Sequence, residues 1–184
     1  MTNAINITLI LALLGLPLAA WSQDGDSAPS VKTTPLTGNL YLLKGRGGNV
    51  VASVGDDGIL LVDADYGEYA TAYQSALSDI FDGEAKASYV INTHWHGDHV
   101  GGNARFNNEG AAVIAHENVK SRLESGGKVE FFGMEMAPQP DAAVPDMTFD
   151  DEVTIDMGSE TLHIFYVPGG HTDGDGIVHL KENN

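Results

Sequence analysis

Residues 93–103 read THWHGDHVGGN and place His94, His96 and His99 within six positions, with Asp98 between two of them. Imidazole nitrogen and carboxylate oxygen are donors that zinc takes at about 2.0–2.2 Å. On an extended segment side chains alternate, so His94 and His96 point to one side and Asp98 continues that series. A turn into helix at about Asp98 brings His99 round beside it. Four side chains so arranged can serve two neighbouring metal ions rather than one. The competing reading is a surface turn rich in histidine that takes metal adventitiously. The chain has 7 histidines in 184 residues, so three at such spacing are rare under random placement, and the metal-site reading is favoured.

The next candidate donor is His171, in PGGHTDGD at 168–175. Taken alone it reads as a solvent-facing loop histidine. Beside the first cluster, at the end of a strand-like run, it reads as a further ligand, because site residues collect on loops held by rigid elements. His116 opens a helix pattern and reads as a cap or packing residue, and His163 and His179 fall within strand patterns. The chain has no cysteine, which excludes a disulfide framework, a thiolate zinc site and a cysteine nucleophile. Any metal must be held by nitrogen and oxygen.

The elements that position these residues follow from hydrophobic period. NLYLLKG (39–45) and NVVASVG (49–55) read as strands joined by a turn at GRGG (45–48). A phosphate-binding glycine loop would open a helix, whereas a strand follows here. GILLVDAD (58–65) is a buried strand ending in acid, residues 68–81 carry apolar side chains at a 3.6-residue period, and ASYVINT (87–93) runs as a buried strand straight into the histidine cluster. AAVIA (111–115) reads as a strand and HENVKSRLE (116–124) as a short helix. A Gly- and Pro-rich segment from Ser125 to Pro145 carries Phe131, Phe132, Met134 and Met136 and reads either as a functional loop or as a loop that simply packs down on the core. EVTIDM (152–157) and TLHIFYVPG (161–169) read as a hairpin, followed by a strand at GIVHL (176–180).

Nine basic residues stand against 26 acidic ones, a formal net charge of −17. Such a surface repels phosphate backbones and anionic headgroups, so nucleic acid and electrostatic membrane docking are excluded as partners. The length fits one domain. Residues 1–22 read as a signal peptide with cleavage before Gln23, since the apolar run Ile7 to Ala20 falls short of the roughly 20 residues that span a bilayer. An uncleaved anchor or a buried apolar helix is the alternative. Residues 23–37 read as a flexible lead-in and 38–184 as the folded domain, which export would place in the periplasm or outside the cell.

HWHGDH matches the His-x-His-x-Asp-His motif of the metallo-β-lactamase superfamily, PGGHTDGD resembles its Gly-His-Thr element, and LLVDAD resembles its first motif, where an aspartate ends a buried strand. The resemblance runs from about Asn39 to the C-terminus. It implies an α/β (α+β) fold, the αββα four-layer sandwich, of which this chain would cover mainly the first half. It implies two zinc ions per complete domain, with His94, His96 and His171 on the first, Asp98 and His99 contributing to the second, and Asp63 steadying the ligand loop. Zinc lowers the pKa of its water from 15.7 towards about 7. Asp98 would then be catalytic, orienting the nucleophile and passing a proton. The 72 positions between His99 and His171 look more like the β-lactamase and related periplasmic hydrolases than like glyoxalase II. Histidine at position 96, where the flavo-diiron branch carries an acid, makes the chain look hydrolytic rather than redox.

The family pattern continues with a bridging acid and a final histidine, and neither follows His179 here. Two expectations compete. One is a partial sequence of an exported zinc hydrolase acting on a small-molecule β-lactam, lactone, thioester or other ester, and this one is favoured. The other is a short, non-catalytic zinc-binding half-domain.

Overall fold

The computed structural model describes residues 28–55, 57–81, 85–129 and 133–183. The expected export segment at 1–22 and the pair Phe131–Phe132 lie outside the described residues. The main sheet has seven strands. Four of them, β1 (Lys32–Pro35), β2 (Leu40–Lys44), β3 (Asn49–Gly55) and β4 (Gly58–Val62), run antiparallel in sequence order. Beyond β4 the pairing becomes parallel through β5 (Ala87–Ile91), β6 (Ala112–His116) and, after a crossover, β9 (Met147–Phe149). A hairpin, β7 (Gly127–Val129) with β8 (Met134–Met136), lies between β6 and β9 in the chain. The second sheet is an antiparallel meander of β10 (Glu152–Asp156), β11 (Thr161–Tyr166) and β12 (Gly176–Leu180).

The continuous apolar run of β4 is explained by burial on both faces. Ile59 and Leu61 face a cluster with Tyr73 and Leu77 of helix α1 (Ala70–Ile80) and Phe106 of helix α3 (Asn103–Asn108). Leu60 faces the other way, against Leu162 and Ile164 of the second sheet, together with Ile91, Ile114 and Phe149. The order of layers is therefore helix, sheet, sheet, which is three of the four layers of an αββα sandwich. A third cluster, Trp95, Val100, Ala115, Val119 and Leu123, lies under helix α4 (Glu117–Ser125), with Val129 and Met136 of the β7–β8 hairpin against it.

Two expectations need correction. Within the expected flexible lead-in at 23–37, Lys32–Pro35 forms edge strand β1, with Thr33 opposite Leu43 and Pro35 opposite Tyr41. Its side chains are mostly exposed, so composition carries no apolar signal. Backbone pairing to β2 orders it, and Pro35 is tolerated because an edge strand has an unused side. The segment expected as one long loop from Ser125 to Pro145 instead holds the β7–β8 hairpin and a 3-10 turn at Asp141–Ala143.

Phe106 is 1% exposed and is the aromatic contact between α3 and the main sheet. Phe106→Ala should lower the unfolding free energy by about 3–5 kcal/mol, as read by a urea transition with an unchanged slope.

Candidate metal centre

The cluster sits where three elements end: β4 at Asp63–Asp65, β5 at Thr93, and the β11–β12 loop at Val167–Asp175. Asp63 and Asp65 both have left-handed backbones, with φ of 67° and 51°. Aspartate is one of the few non-glycine residues that visits this region routinely. The resulting kink is fixed by three backbone bonds: Asp63 N–H to the Ile91 carbonyl at 2.8 Å, Ala64 N–H to His99 at 2.8 Å and Gly102 N–H to Asp65 at 3.2 Å. Gly102 must be glycine, since a Cβ there would stand 2.4 Å from the Ala64 carbonyl oxygen. The chain leaves β5 extended, and His96 (φ −68°, ψ 148°) precedes the single turn of α2 (Gly97–Val100). The turn into helix thus begins one residue before the expected Asp98.

Asp63 is 4% exposed, and its carboxylate accepts three bonds at 2.8 Å, from Thr93 N–H, from the Thr93 hydroxyl and from His99 Nδ1. These bonds decide two tautomers. The Thr93 hydroxyl has one proton and gives it to Asp63, so towards His94 Nδ1, 3.1 Å away, it can only accept. His94 is then protonated at Nδ1, and its Nε2 carries the lone pair. That Nε2 is buried without a hydrogen-bond partner among the described residues. In the same way His99 donates from Nδ1 to Asp63 and presents Nε2 to Asp98 Oδ2 at 3.5 Å.

His94, His96 and His171 each offer a nitrogen, and the three ligand atoms lie within 4.8 Å of one another. His96 Nδ1 and His171 Nε2 are 3.1 Å apart. His94 is buried, His96 half-buried and His171 exposed. Asp98 and His99 lie beside this group, with the His99 ring centroid 4.0 Å from that of His94. Burial, reinforced by the neighbouring imidazoles of His99, His96 and His171, lowers the His94 pKa to about 3. Burial and His171 lower that of His96 as well. Burial also opposes charge on His99, but the hydrogen bond and charge of Asp63 outweigh it and raise its pKa. His94 and His96 are thus neutral donors at pH 7, the form a metal requires.

One part of the site was not anticipated, and a second takes in residues of the 125–145 segment, read from sequence either as a functional loop or as packing on the core. The GRGG turn between β2 and β3 is held by Asp65, which accepts from Arg46 N–H at 3.0 Å and Gly47 N–H at 2.8 Å. It lies directly on the cluster: Gly48 N–H donates to the Asp98 carbonyl at 3.2 Å, and a Cβ at Gly48 would stand 2.5 Å from the His99 ring. The pairing of a glycine turn with a buried acid after β4 was the only available clue. The second part is a cleft of about 410 Å³ lined by Tyr66, Trp95, His96, Asp98, Val129, Met134 and Met136. Here the β7–β8 hairpin walls the side next to His96 and Asp98. His116 accepts from Asn118 N–H at 3.2 Å as the cap of α4, as its position suggested.

Because the folded chain resists protonating His94 until about pH 3 while the unfolded chain takes that proton near 6.5, stability is present above about 6.5 and lost as pH falls below it. His99 has the opposite sign: its raised pKa stabilises below about 6.5, and that share is lost as pH rises through its folded value. Imidazole NMR titration of the metal-free protein should find His94 neutral at pH 5. Asp63→Asn should move the His99 midpoint below that of the parent. Gly48→Ala should displace the turn or the His99 ring, seen as loss of the His99–Asp63 contact in a crystal structure of the variant.

A family model described as the metallo-beta-lactamase superfamily matches residues 34–184. The chain is 25% identical over 175 residues to a metallo-beta-lactamase type 2 of Elizabethkingia meningoseptica, covering 90% of this chain and 64% of that protein. It is 33% identical over 136 residues to a hydroxyacylglutathione hydrolase of Erythrobacter litoralis, covering 68% of this chain and 43% of the relative. Among solved structures, a Cronobacter sakazakii metallo-β-lactamase superposes with a TM-score of 0.71 at 24% identity, over 83% of this chain and 59% of that one. The chain therefore spans less than two thirds of the length of these relatives. Motif, fold and the match over residues 34–184 agree: the chain belongs to the metallo-β-lactamase superfamily.

Proposed function

We propose that this chain carries the metal-binding part of an exported zinc-dependent hydrolase acting on a small-molecule β-lactam, lactone, thioester or other ester. The observation that carries the reading is the convergence of one imidazole nitrogen each from His94, His96 and His171, with the Nε2 of His94 buried and unpartnered among the described residues. A lone pair left without a proton donor in a buried place costs free energy unless something accepts it, and an electrophilic cation does. The donor set is nitrogen and carboxylate without thiolate, and His94 is held neutral, so these residues fit zinc. His94, His96 and His171 would hold one ion, and Asp98 and His99 would contribute to a second. Bound zinc supplies a Lewis acid that polarises a carbonyl and acidifies water.

The chain's own residues do the rest. Asp98 lines the cleft and presents a half-buried carboxylate beside His99. It can orient an attacking water and take its proton, the role of a positioned general base. Tyr66, Trp95, Val129, Met134 and Met136 give the cleft an apolar wall that holds the non-reacting part of a substrate and limits water. The names of the relatives, a metallo-beta-lactamase and a hydroxyacylglutathione hydrolase, support a hydrolytic reading. The N-terminal apolar segment supports export.

The test is a zinc count with parallel hydrolysis assays on chromogenic lactam, lactone and thioester probes. The parent should bind zinc and hydrolyse at least one probe, and a chelator should abolish turnover. His96→Ala should lose both zinc and activity, whereas activity retained by that variant would refute the ligand assignment. Zinc uptake without any hydrolysis would favour a non-catalytic zinc-binding role.

A further inference from the structure

The loop that carries His171 is tied to its surroundings at Asp173, a residue outside the proposed ligand set. Asp173 Oδ1 accepts from the indole Nε1 of Trp95 at 3.1 Å. Its Oδ2 accepts from Arg122 Nε at 3.0 Å and from the Arg122 terminal nitrogen at 2.7 Å. The Asp173 carbonyl accepts from the Asn118 amide at 2.6 Å and from the Tyr166 hydroxyl at 3.3 Å. One residue is therefore tied to the β5–α2 segment through Trp95, to α4 through Arg122 and Asn118, and to the end of β11 through Tyr166.

The place of Trp95 makes this more than a surface contact. Trp95 is 5% exposed and stands between His94 and His96, with its ring 4.7 Å from the His96 ring. The Arg122 guanidinium lies 5.7 Å from the Trp95 ring, so it supports both the carboxylate and the indole. On the other side of Asp173, two residues along the chain, stands His171. Inside the loop, Asp175 accepts from His171 N–H, from Thr172 N–H at 2.9 Å and from the Thr172 hydroxyl. Those bonds shape the turn but do not fix where it stands relative to His94 and His96. Gly176 N–H to the Thr93 carbonyl at 2.7 Å anchors the far end. Val167 N–H to the Asp175 carbonyl at 2.9 Å closes the near end, and Asp173 ties the stretch between the two to Trp95 and Arg122.

We propose that Asp173 is a positioning residue that sets the reach of His171 towards His94 and His96, acting through Trp95 and Arg122. Ligands that come from distant parts of a chain must be oriented by their neighbours, and loss of such neighbours typically costs 10–100-fold in metal affinity. His94 and His96 are two residues apart on one segment, whereas His171 comes from 75 residues away and depends on how its loop is docked. Asp173 is the dock. The zinc part of this proposal rests on the ligand reading above; the positioning part does not.

Both parts are tested with Asp173→Ala and Arg122→Met in the full chain carrying Trp21→Phe, so that Trp95 is the one indole. In the metal-free protein, amide hydrogen exchange should quicken at least tenfold in residues 169–174 of Asp173→Ala and stay unchanged in β5 and β11. Zinc affinity, measured by competition with a chromogenic chelator, should fall 10–100-fold in Asp173→Ala and at least threefold in Arg122→Met. Asp173→Asn should restore part of the affinity, since its amide oxygen can still accept from Trp95. Zinc should change Trp95 fluorescence in the parent, and the titration midpoint should move with the affinity. Unchanged loop exchange in Asp173→Ala, or zinc affinity within twofold of a zinc-binding parent, overturns the proposal. A parent that takes up no zinc overturns the ligand reading instead, and loop exchange then decides the role of Asp173. If Asp173→Ala does not fold, Arg122→Met decides both measurements.

Discussion

Everything around the cluster depends on the Asp63 carboxylate. It is buried at the end of β4 and accepts from the Thr93 backbone, the Thr93 hydroxyl and His99. A buried carboxylate with so few exposed atoms is tolerable only with its lone pairs used. The three bonds satisfy it and in doing so determine the chemistry of its neighbours. The Thr93 proton is spent on Asp63, so His94 takes the tautomer with Nε2 open. His99 spends its Nδ1 proton the same way. A single acid thus sets the direction of two imidazoles without being one of the three converging histidines itself.

The opposite side of that arrangement is its cost. Three imidazole nitrogens within 4.8 Å, one of them buried and unpartnered, do not stabilise a fold. Burial drives His94 well below the usual histidine range, and its neighbours add to the effect. The surrounding bonds hold the rings in place: the Asp65 bonds to the GRGG turn, the Asp63 bonds to Thr93 and His99, and the bonds from Trp95 and Arg122 to Asp173 in the His171 loop. Rigid sheet ends on one side and short, internally bonded loops on the other are how a fold holds a buried donor such as His94 Nε2 in place.

Most of the architecture was legible because the strands are buried on both faces or alternate plainly. β2 to β6 and β10 to β12 fall where the apolar runs placed them, and α1 lies within the 3.6-residue period of 68–81. Strand β1 was not legible, since its side chains face water and its order comes from backbone pairing alone. The β7–β8 hairpin was hidden for a related reason: strands of three residues are too short to show a period. The GRGG segment was correctly read as a turn, yet its role against His99 was invisible. A turn's local sequence says how it bends, not what it touches. The same holds for Asp173, whose partners Trp95 and Arg122 lie 78 and 51 residues away.

The sequence by itself determined the donor types, their spacing on one segment and the family they resemble. Those are local facts: alternation on an extended segment would send His94 and His96 to one side, and the absence of cysteine limits the donors to nitrogen and oxygen. Only the tertiary structure decided which lone pairs face inward, which acid fixes them, and how His171 comes within reach of His94 and His96 from 75 residues along the chain. The reason is physical. A tautomer is set by the partner on the other ring nitrogen, and a side chain on a distant loop is placed by the contacts of that loop. Both are products of packing between segments that the order of residues does not record.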